Sequence, residues 1–255
     1  MRLAITQPTY LPWLGYFDLM DQVDTFVLLD NVQFEKQSWQ QRNRIKTPTG
    51  LQWLTVPVVF RGRLEQKIQA VEIRDLQFWR KHLRGIELNY RRTPFFENYF
   101  SALSSNLETL EASTSLSDLN MRLIKWLTGI LGIKTPLIRA SLLGEAGKRT
   151  QLLANICRNL GANYYVSPIG SAGYLLPELS ILSACQVETV FQNYSHPQYK
   201  QSFPPFVPYA SVIDLLFNEG PRSMEIIRSG RNTPLIPTEV AAIATAARPE
   251  ESAQA

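Results

Sequence analysis

The chain has 255 residues, of which 45% are apolar and 19% charged, the usual balance of a globular protein with a buried core. Its 26 Lys and Arg exceed its 22 Asp and Glu, so the net charge is +4. No apolar run reaches the roughly 18 residues that a transmembrane helix needs, and the first residues lack the pattern of a signal peptide. We therefore expect a cytoplasmic protein with no insertion into a membrane.

The first thirty residues predict a compact βαβ unit. "RLAIT" (2–6) is an apolar strand, "LGYFDLMDQV" (14–23) has helical spacing, and "DTFVLLD" (24–30) is rich in strand-forming residues. A strand, a helix and a second strand within so few residues imply a parallel sheet.

The middle of the chain has a different pattern. "RNRIKTPTGLQWLTVPV" (42–58) places two extended runs around a Pro/Gly turn and predicts a β-hairpin. The alternation in "KIQAVEI" (67–73) predicts a further strand, and residues 75–132 have the spacing of three helices. We interpret residues 34–132 as a hairpin and helical insertion.

Strands and helices alternate again after the insertion. The predicted strands are 136–141, 163–168 and 187–192, and the predicted helices are 148–161, 210–218 and 222–230. The predicted fold class is α/β, a Rossmann-like, mostly parallel sheet flanked by helices and interrupted by the insertion. We expect one domain over residues 1–232 and a flexible tail over 233–255, which is rich in Ala, Pro and Ser.

Polar or glycine-bearing segments follow the ends of the predicted strands. The residues at those ends are Gln7, Asp30, Ser141, Ser167 and Gln192. A mostly parallel sheet binds ligands beyond the carboxyl ends of its strands. The sequence therefore predicts a ligand site at this edge of the sheet.

The segment "QPTYLPWLGYF" follows the first strand and has unusually large side chains for a turn. The amide of Gln7 can donate and accept hydrogen bonds, and Trp13 and Tyr16 can stack on a base or a sugar ring. Gly15 would let the backbone approach a ligand at the helix start, where N–H groups favour phosphate. The alternative is structural: an amide that stabilises its own turn, and aromatic rings that belong to the core.

Positive charge is concentrated in residues 34–92, which hold 13 Lys and Arg against 5 Asp and Glu. Such a surplus predicts a small anionic ligand, and no nucleic-acid-binding motif accompanies it. Within "QFEKQSWQQRNRIK" (33–46) the predicted binding residues are Gln33, Lys36, Trp39, Arg42, Asn43 and Lys46. Arginine binds phosphate through two parallel hydrogen bonds, and lysine adds a point charge. The alternative is a solvated surface hairpin.

A second predicted binding segment is "GSAGYL" (170–175), which supplies Gly170, Ser171 and Tyr174 after a strand. Phosphate-binding loops also follow strands, but this one lacks the Walker spacing, and an ordinary loop is the alternative.

The best general-base candidate is His196 in "YSHPQY", with Asp30 or Asp214 to orient a proton or a hydroxyl. The other histidine, His82, lies in a predicted helix beside apolar residues and is assigned a structural role. No HxH, HExxH or CxxC spacing supports a metal site, and no motif identifies a cofactor.

Three long segments resemble the WbqC-like family: "QPTYLPWLGYF", "LDNVQFEKQSWQQRNRIKTPTGLQWLTVPV" and "HPQYKQSFPPFVPYASVIDLLFNEGP". Family members occur in bacterial gene clusters for O-antigen and related surface polysaccharides. The resemblance covers residues 3–230 and implies a role in such a pathway. With the expected site, it favours a transferase acting on a nucleotide-linked sugar, amino sugars included. The alternative is a non-catalytic protein that binds nucleotide sugars or acts as a scaffold in the same pathway.

The first βαβ unit also resembles nucleotidyltransferases of the HxGH type. Trp13, Gly15 and Tyr16 stand where that motif has His, Gly and His. Because both histidines are absent, the likeness extends to the fold and not to nucleotidyl transfer.

Overall fold

A parallel sheet of five strands forms the centre of the computed structural model, which describes residues 1–63, 65–108 and 114–246. The strands are β1 (Arg2–Thr6), β2 (Thr25–Leu28), β3 (Arg42–Thr47), β4 (Gly50–Thr55), β5 (Leu137–Arg139), β6 (Tyr164–Ser167) and β7 (Glu188–Phe191). The sheet has the order β5-β2-β1-β6-β7, and β3 and β4 form a separate hairpin. The predicted α/β fold class is confirmed.

Helices cover both faces of this sheet. They are α1 (Leu14–Asp21), α2 (Phe78–Tyr90), α3 (Phe96–Glu108), α4 (Leu116–Ile130), α5 (Arg149–Asn159), α6 (Ala172–Leu175), α7 (Leu179–Ala184), α8 (Val212–Glu219), α9 (Ser223–Ser229) and α10 (Pro237–Ala246). No helix of the described ranges is long and apolar enough to cross a membrane.

Each of the five strands of the parallel sheet contributes to two apolar cores, because successive side chains point to opposite faces of the sheet. In β1, Ala4 packs with the core that contains α1, α4 and α8, whereas Leu3 and Ile5 pack with the core of α5 and α7. Both faces of the sheet are therefore buried, as is usual for parallel strands.

The sheet order places a topological switch point between β1 and β6. After β1 the chain enters α1 on one face, and after β6 it enters α6 and α7 on the other. Because the two connections diverge, a crevice remains at the carboxyl ends of these two neighbouring strands. Because open α/β sheets bind ligands in such a crevice, it is the candidate site.

The insertion between β2 and β5 contains the predicted hairpin and α2 to α4. The hairpin pairs Arg42 with Thr55 at its open end and Thr47 with Gly50 at its turn. The side-chain amide of Asn43 ties it to the segment after β1, donating to the carbonyl of Tyr10 at 3.2 Å and to that of Leu11 at 2.7 Å. The insertion thus packs directly beside the strand ends.

One prediction about secondary structure was wrong. Residues 67–73 do not form a strand; they contain a 3₁₀ turn, Ile68–Ala70, because the N–H of Ile68 bonds to Val32 and that of Gln69 to Asp30. Within the predicted tail, Leu235 bridges to Phe191, and α10 follows it and buries Val240. That residues 233–255 are flexible stays a prediction. The rest of the predicted tail, 247–255, lies outside the described residues.

Candidate functional site

A cavity of about 350 Å³ lies at the carboxyl ends of β1 and β6, at the switch point. We call it the strand-end cavity. Its described lining consists of Ile5, Thr6, Gln7, Thr9, Trp13, Gly15, Tyr16, Leu19, Leu29, Glu35, Ser38, Trp39, Gln40, Leu153, Pro168, Gly170, Ser171, Tyr174 and Gln192. The volume is at the small end of the range for ligand pockets.

The lining is almost uncharged and combines apolar with polar side chains. Aromatic rings, primary amides and hydroxyls lie beside four aliphatic residues and a proline, and among the described lining residues only Glu35 carries a charge. Aromatic rings offer flat stacking surfaces, and amides and hydroxyls offer directional hydrogen bonds. The cavity is therefore suited to a polar, uncharged ring.

Half of the sequence-predicted site residues converge here. They are Gln7, Trp13, Gly15, Tyr16, Trp39, Gly170, Ser171 and Tyr174. Three separate segments supply them: the turn after β1, the loop before the hairpin, and the loop after β6. That these residues bind a ligand stays a prediction.

The indole of Trp13 is fixed in the wall of the cavity by close packing. Trp13 precedes α1, and its ring lies over Gly15, so that a Cβ atom at Gly15 would overlap the indole. Gly15 therefore makes room for Trp13, whereas we expected it to admit a ligand. The lack of a side chain at Gly15 thus leaves room for an indole that lines the cavity.

His196 lies behind this indole. The two ring centroids are 6.2 Å apart and the ring planes differ by 14°, which is a stacked arrangement. The Nδ1 atom lies 3.0 Å from the carbonyl oxygen of Pro197, and Tyr199, Phe206 and Tyr209 surround the rest of the ring. Burial lowers the pKa of His196, so the imidazole is neutral at pH 7. His196 is not among the described lining residues, and its contact with Trp13 makes it a positioning residue.

A chain of amide hydrogen bonds runs along one wall of the cavity. The backbone N–H of Glu35 donates to Oε1 of Gln40 at 3.2 Å, and Nε2 of Gln40 donates to Oε1 of Gln7 at 2.8 Å. Tyr16 adds a bond from its hydroxyl to the backbone carbonyl of Gln7 at 3.3 Å. Gln7 is thus held by its neighbours in one orientation.

A third amide, Gln192, follows β7 and is nearly buried, with 6% of its surface exposed. Its Nε2 atom donates to the carbonyl of Gly15 and to Oδ2 of Asp18, both at 2.8 Å. Asp18 is itself held by Arg231, whose Nε lies 2.8 Å from Oδ1. An ion pair between a buried carboxylate and a partly exposed arginine therefore fixes the orientation of the amide at the cavity surface.

The loop after β6 contributes hydroxyl groups. Ser171 forms a very short hydrogen bond with Ser167 and donates to the carbonyl of Pro168 at 2.7 Å. Burial raises the pKa of Tyr174, an effect that its hydrogen bond with Ser171 and the charge of Arg149 oppose. The loop lines the cavity with hydroxyls and an aromatic ring.

Positive charge lies beside the cavity rather than in it. Arg44 is 5.3 Å from the ring centre of Trp39 and also 5.3 Å from that of Trp53, and Arg42 is 4.1 Å from the ring of Trp53. We call these four residues, Arg42, Arg44, Trp39 and Trp53, the Arg–Trp strip. Because Trp39 lines the cavity, the strip is continuous with its rim.

Arg44 also approaches the opposite wall of the cavity. Its Nη2 atom lies 3.4 Å from the carbonyl oxygen of Tyr209, and the Tyr209 ring is 5.5 Å from that of Trp13. The guanidinium therefore lies close to Trp39 and to a residue that packs against Trp13. Of the predicted cations, Arg42 belongs to this strip, and the sequence did not single out Arg44.

The predicted proton carrier Asp30 has a structural role. It is fully buried at the end of β2 and accepts from Nε of Arg139 and from the N–H and Oγ of Ser141, each at 2.9 Å. These bonds join the ends of β2 and β5. Asp30 is outside the described lining of the cavity.

Asp214 is also buried away from the cavity. It accepts from the hydroxyls of Tyr90 and Tyr199, at 2.7 and 2.6 Å, and from Nε2 of Gln201 at 2.9 Å. Burial raises the pKa of its carboxyl group, and these three bonds oppose that effect. Lys46, predicted to hold phosphate, is 1% exposed, and its Nζ donates to the carbonyl of Pro205 at 2.9 Å. Asn43 is occupied by its bonds to the chain after β1, as described above.

Lys36 lies at a second, larger depression of about 1190 Å³. We call it the cationic cleft; its described lining is Lys36, Gln41, Thr55, Pro57, Val58, Val59, Phe60, Arg61, Gly62, Arg63, Glu65, Gln66 and Arg74. Gln33 is exposed and pairs with Lys67 in an isolated bridge. The predicted cluster at 33–46 is therefore divided among the cavity, the strip, the cleft and the core.

Sequence reasoning missed several lining residues, among them Glu35, Ser38, Gln40 and Gln192. Gln192 stood at a predicted strand end, which was a usable signal. Within the described ranges, no group of three or more His, Cys, Asp or Glu is placed to hold a metal ion.

Known proteins are similar to this chain over the region that contains the strand-end cavity. A profile of the WbqC-like protein family matches residues 7–226. An uncharacterised protein of Mycobacterium tuberculosis, Rv1507c, is 38% identical over 231 residues, which cover 89% of this chain and 97% of that protein. No solved structure gives a significant match. The matched region extends from Gln7 beyond Gln192 and so includes most of the cavity lining.

Proposed function

Because the chain belongs to the WbqC-like protein family, which is linked to gene clusters for polysaccharides, we propose that it is a transferase acting on a nucleotide-linked sugar. The strand-end cavity holds one ring of this ligand, and the Arg–Trp strip holds its phosphates. One observation carries the proposal: a cavity with amides, hydroxyls and aromatic rings, whose only described charge is that of Glu35, continues directly into a pair of arginines.

The cavity lining matches a ring that bears polar groups. Trp13 and Trp39 offer stacking surfaces, and each amide or hydroxyl can take up one polar group of a base or a sugar. At about 350 Å³ the cavity suits one such ring, so the remainder of the ligand extends past the rim.

The Arg–Trp strip supplies the positive charge that the described lining of the cavity lacks. A diphosphate at the rim would meet Arg44 first and Arg42 next, and guanidinium groups match phosphate oxygens with paired hydrogen bonds. The tryptophan rings beside both guanidiniums hold them in place. The uncharged part and the anionic part of a nucleotide sugar thus each have a matching surface.

Transfer requires a group that accepts a proton from the attacking hydroxyl or amine. Glu35 is the only described carboxylate that lines the cavity, and in this proposal it takes the role that the sequence assigned to His196, Asp30 and Asp214. Those three carry no step here: His196 stacks on Trp13, and the two aspartates are bound in the interior.

The second candidate function is a non-catalytic protein that binds nucleotide sugars in the same pathway. The specific observation in its favour is that both predicted aspartates are occupied by structural contacts and that His196 lies outside the described lining of the cavity. Both candidates require the same ligand and differ in the role of Glu35.

Binding is tested by calorimetry with UDP-glucose, dTDP-glucose, ADP-glucose and GDP-mannose. We expect at least one to bind, and Arg44→Ala to weaken it about tenfold, since a hydrogen bond to a charged group contributes roughly 1.5–3 kcal/mol. Arg80→Ala is the matched control, because Arg80 lies 5.2 Å from the ring of Trp79 on α2, away from the cavity. Equal losses in the two variants, or no binding by any of the four, would refute the proposed ligand.

Catalysis is tested with Glu35→Gln in cells that lack the chromosomal copy. The transferase predicts that the variant binds the ligand normally but does not restore the polysaccharide. Full restoration would instead support the non-catalytic function.

A further inference from the structure

The amide groups of the strand-end cavity have a polarity that their hydrogen bonds determine. An amide presents either its NH₂ or its carbonyl oxygen to a given partner, and the partner decides which. Gln40 faces the backbone N–H of Glu35, which can only donate, so the oxygen of Gln40 occupies that position. Its NH₂ group therefore faces Gln7.

The same reasoning fixes Gln7. Because Gln40 donates, Gln7 must accept with Oε1, and its NH₂ group is left over. No hydrogen bond to that NH₂ group exists within the described residues, and its nitrogen is not among the buried atoms without a partner. Gln7 consequently presents a donor to the strand-end cavity that it lines.

Gln192 has the opposite polarity. Its NH₂ group faces the carbonyl of Gly15 and the carboxyl of Asp18, both of which accept, so both N–H bonds are used. The carbonyl oxygen takes no hydrogen bond from the described residues and is likewise not sealed from solvent. Gln192 thus presents an acceptor to the cavity.

We infer that the strand-end cavity recognises a –CO–NH– group of its ligand, with the ligand carbonyl at Gln7 and the ligand N–H at Gln192. This inference rests on the proposed function and names the ligand chemistry more closely. A hydroxyl can rotate to donate or accept and needs no fixed partner. Two amides held in opposite orientations discriminate only among ligand groups whose own polarity is fixed, and an amide or imide edge is such a group.

The sheet geometry permits both contacts. Gln7 follows β1 and Gln192 follows β7, with β6 between them, so the two strand ends are about 10 Å apart at the usual spacing of neighbouring strands. A ring lying over the end of β6 is within reach of both side chains.

A nucleotide-linked sugar offers this group in two places, and the test separates them. Uracil and thymine carry a –CO–NH– edge, and so does an N-acylated amino sugar. The base is probed by calorimetry with UDP against 3-methyluridine 5′-diphosphate, in which a methyl group replaces the hydrogen of the ring N–H. The sugar is probed with N-acetylglucosamine 1-phosphate against glucosamine 1-phosphate.

In one of these two pairs we expect the intact –CO–NH– member to bind at least tenfold more tightly, the usual effect of leaving a buried polar group without its partner. A difference only in the first pair identifies the base as the source, and a difference only in the second identifies the sugar. If members of both pairs bind within threefold of each other, the inference is refuted while the proposed function stands. If none of the probes and none of the four nucleotide sugars binds, both are refuted.

The variant Gln40→Glu tests the polarity itself. A glutamate still accepts from Glu35 N–H but cannot donate to Gln7, so Gln7 must rotate its NH₂ group toward it and present its oxygen to the cavity. We expect the preference for the –CO–NH– member of the discriminating pair to fall about tenfold. Gln69→Glu is the control for charge, because Gln69 is exposed and outside the cavity lining. An unchanged preference in a folded Gln40→Glu protein would refute the mechanism, and the probe pairs test it in wild type if that variant does not fold.

Discussion

Residues within 35–41 line both the strand-end cavity and the cationic cleft. The two depressions differ in volume, in charge and in how firmly their side chains are held. The cleft is larger, about 1190 against 350 Å³, and it has four cations, whereas the described lining of the cavity has none. All four cations of the cleft, Lys36, Arg61, Arg63 and Arg74, belong to exposed residues. In the cavity, by contrast, buried partners hold Gln7, Trp13 and Gln192 in place.

The proposed ligand site is thus neither the larger nor the more highly charged of these two depressions. A binding site needs groups whose positions are fixed before the ligand arrives, since each mobile side chain loses entropy on binding. Exposed Lys and Arg side chains are mobile and well hydrated, so they attract anions without selecting among them. The cavity has the fixed groups, and the Arg–Trp strip gives it the charge.

The largest expected effect is a loss of stability in a variant of Asp214, an acid that lies away from the cavity. The two carboxylate oxygens of Asp214 accept three hydrogen bonds, and Asp214→Asn replaces one of these oxygens by an NH₂ group that faces donors. We expect the free energy of unfolding to fall by about 2–4 kcal/mol, measured by urea unfolding. Affinity of the folded variant for the nucleotide sugar should stay within about twofold of wild type. A catalytic role would instead appear as lost turnover with normal stability.

The next effect tests the packed wall of the cavity. Gly15→Ala places a Cβ atom against the indole of Trp13, so we expect a loss of about 1–3 kcal/mol in stability, typical of overpacking. Displacement of the indole should also weaken ligand binding. Gly170→Ala is the matched control, because Gly170 lines the same cavity but has no atom within 4 Å of an added Cβ. If the two variants behave alike, Trp13 is not held as described.

A smaller effect tests the role of His196. His196→Ala removes the ring that stacks on Trp13, and aromatic pairs contribute about 0.5–1.5 kcal/mol, so affinity should fall roughly two- to tenfold. His196→Phe restores a ring without a titratable group and should recover most of this loss. Burial already keeps His196 neutral above pH 7, so neither variant should change the pH profile of turnover there. A profile that moves in both variants would make His196 a proton carrier after all.

The smallest effect is expected in the cationic cleft. The double variant Arg61→Ala/Arg74→Ala should change the affinity for nucleotide sugars by less than about twofold and stability by less than about 0.5 kcal/mol. Both side chains are exposed, and neither makes an ion pair among the described residues. Loss of binding in this variant would reverse the comparison and make the cleft the ligand site.

The sequence was sufficient to predict the sheet and the edge at which the cavity lies. Apolar runs identified its strands, and the rule for parallel sheets placed Gln7, Ser171 and Tyr174 at a common edge. It failed at residues 67–73, where Ile68, Val71 and Ile73 are buried as in a strand but the backbone bonds to separate loops. An alternating apolar pattern predicts which side chains are buried, but it does not predict which groups the backbone forms hydrogen bonds with.

For the hairpin, the alternation of side chains along a strand would have improved the prediction of which residues share one surface. In a strand, successive side chains point to opposite faces, so Arg42 and Asn43 cannot share one surface, whereas Arg42 and Arg44 can. The structure follows this rule: Asn43 faces the carbonyls of Tyr10 and Leu11, and both arginines lie over Trp53. The burial of Lys46 against Pro205 depends on a segment 159 residues away, which no local pattern contains.

The most direct measurement is a crystal structure of the protein with the nucleotide sugar that binds most tightly. We predict that a ring of this ligand lies between Trp13 and Trp39, within hydrogen-bonding distance of Gln7 and Gln192, with a phosphate at Arg44. A ligand bound in the cationic cleft, with the strand-end cavity empty, would contradict it.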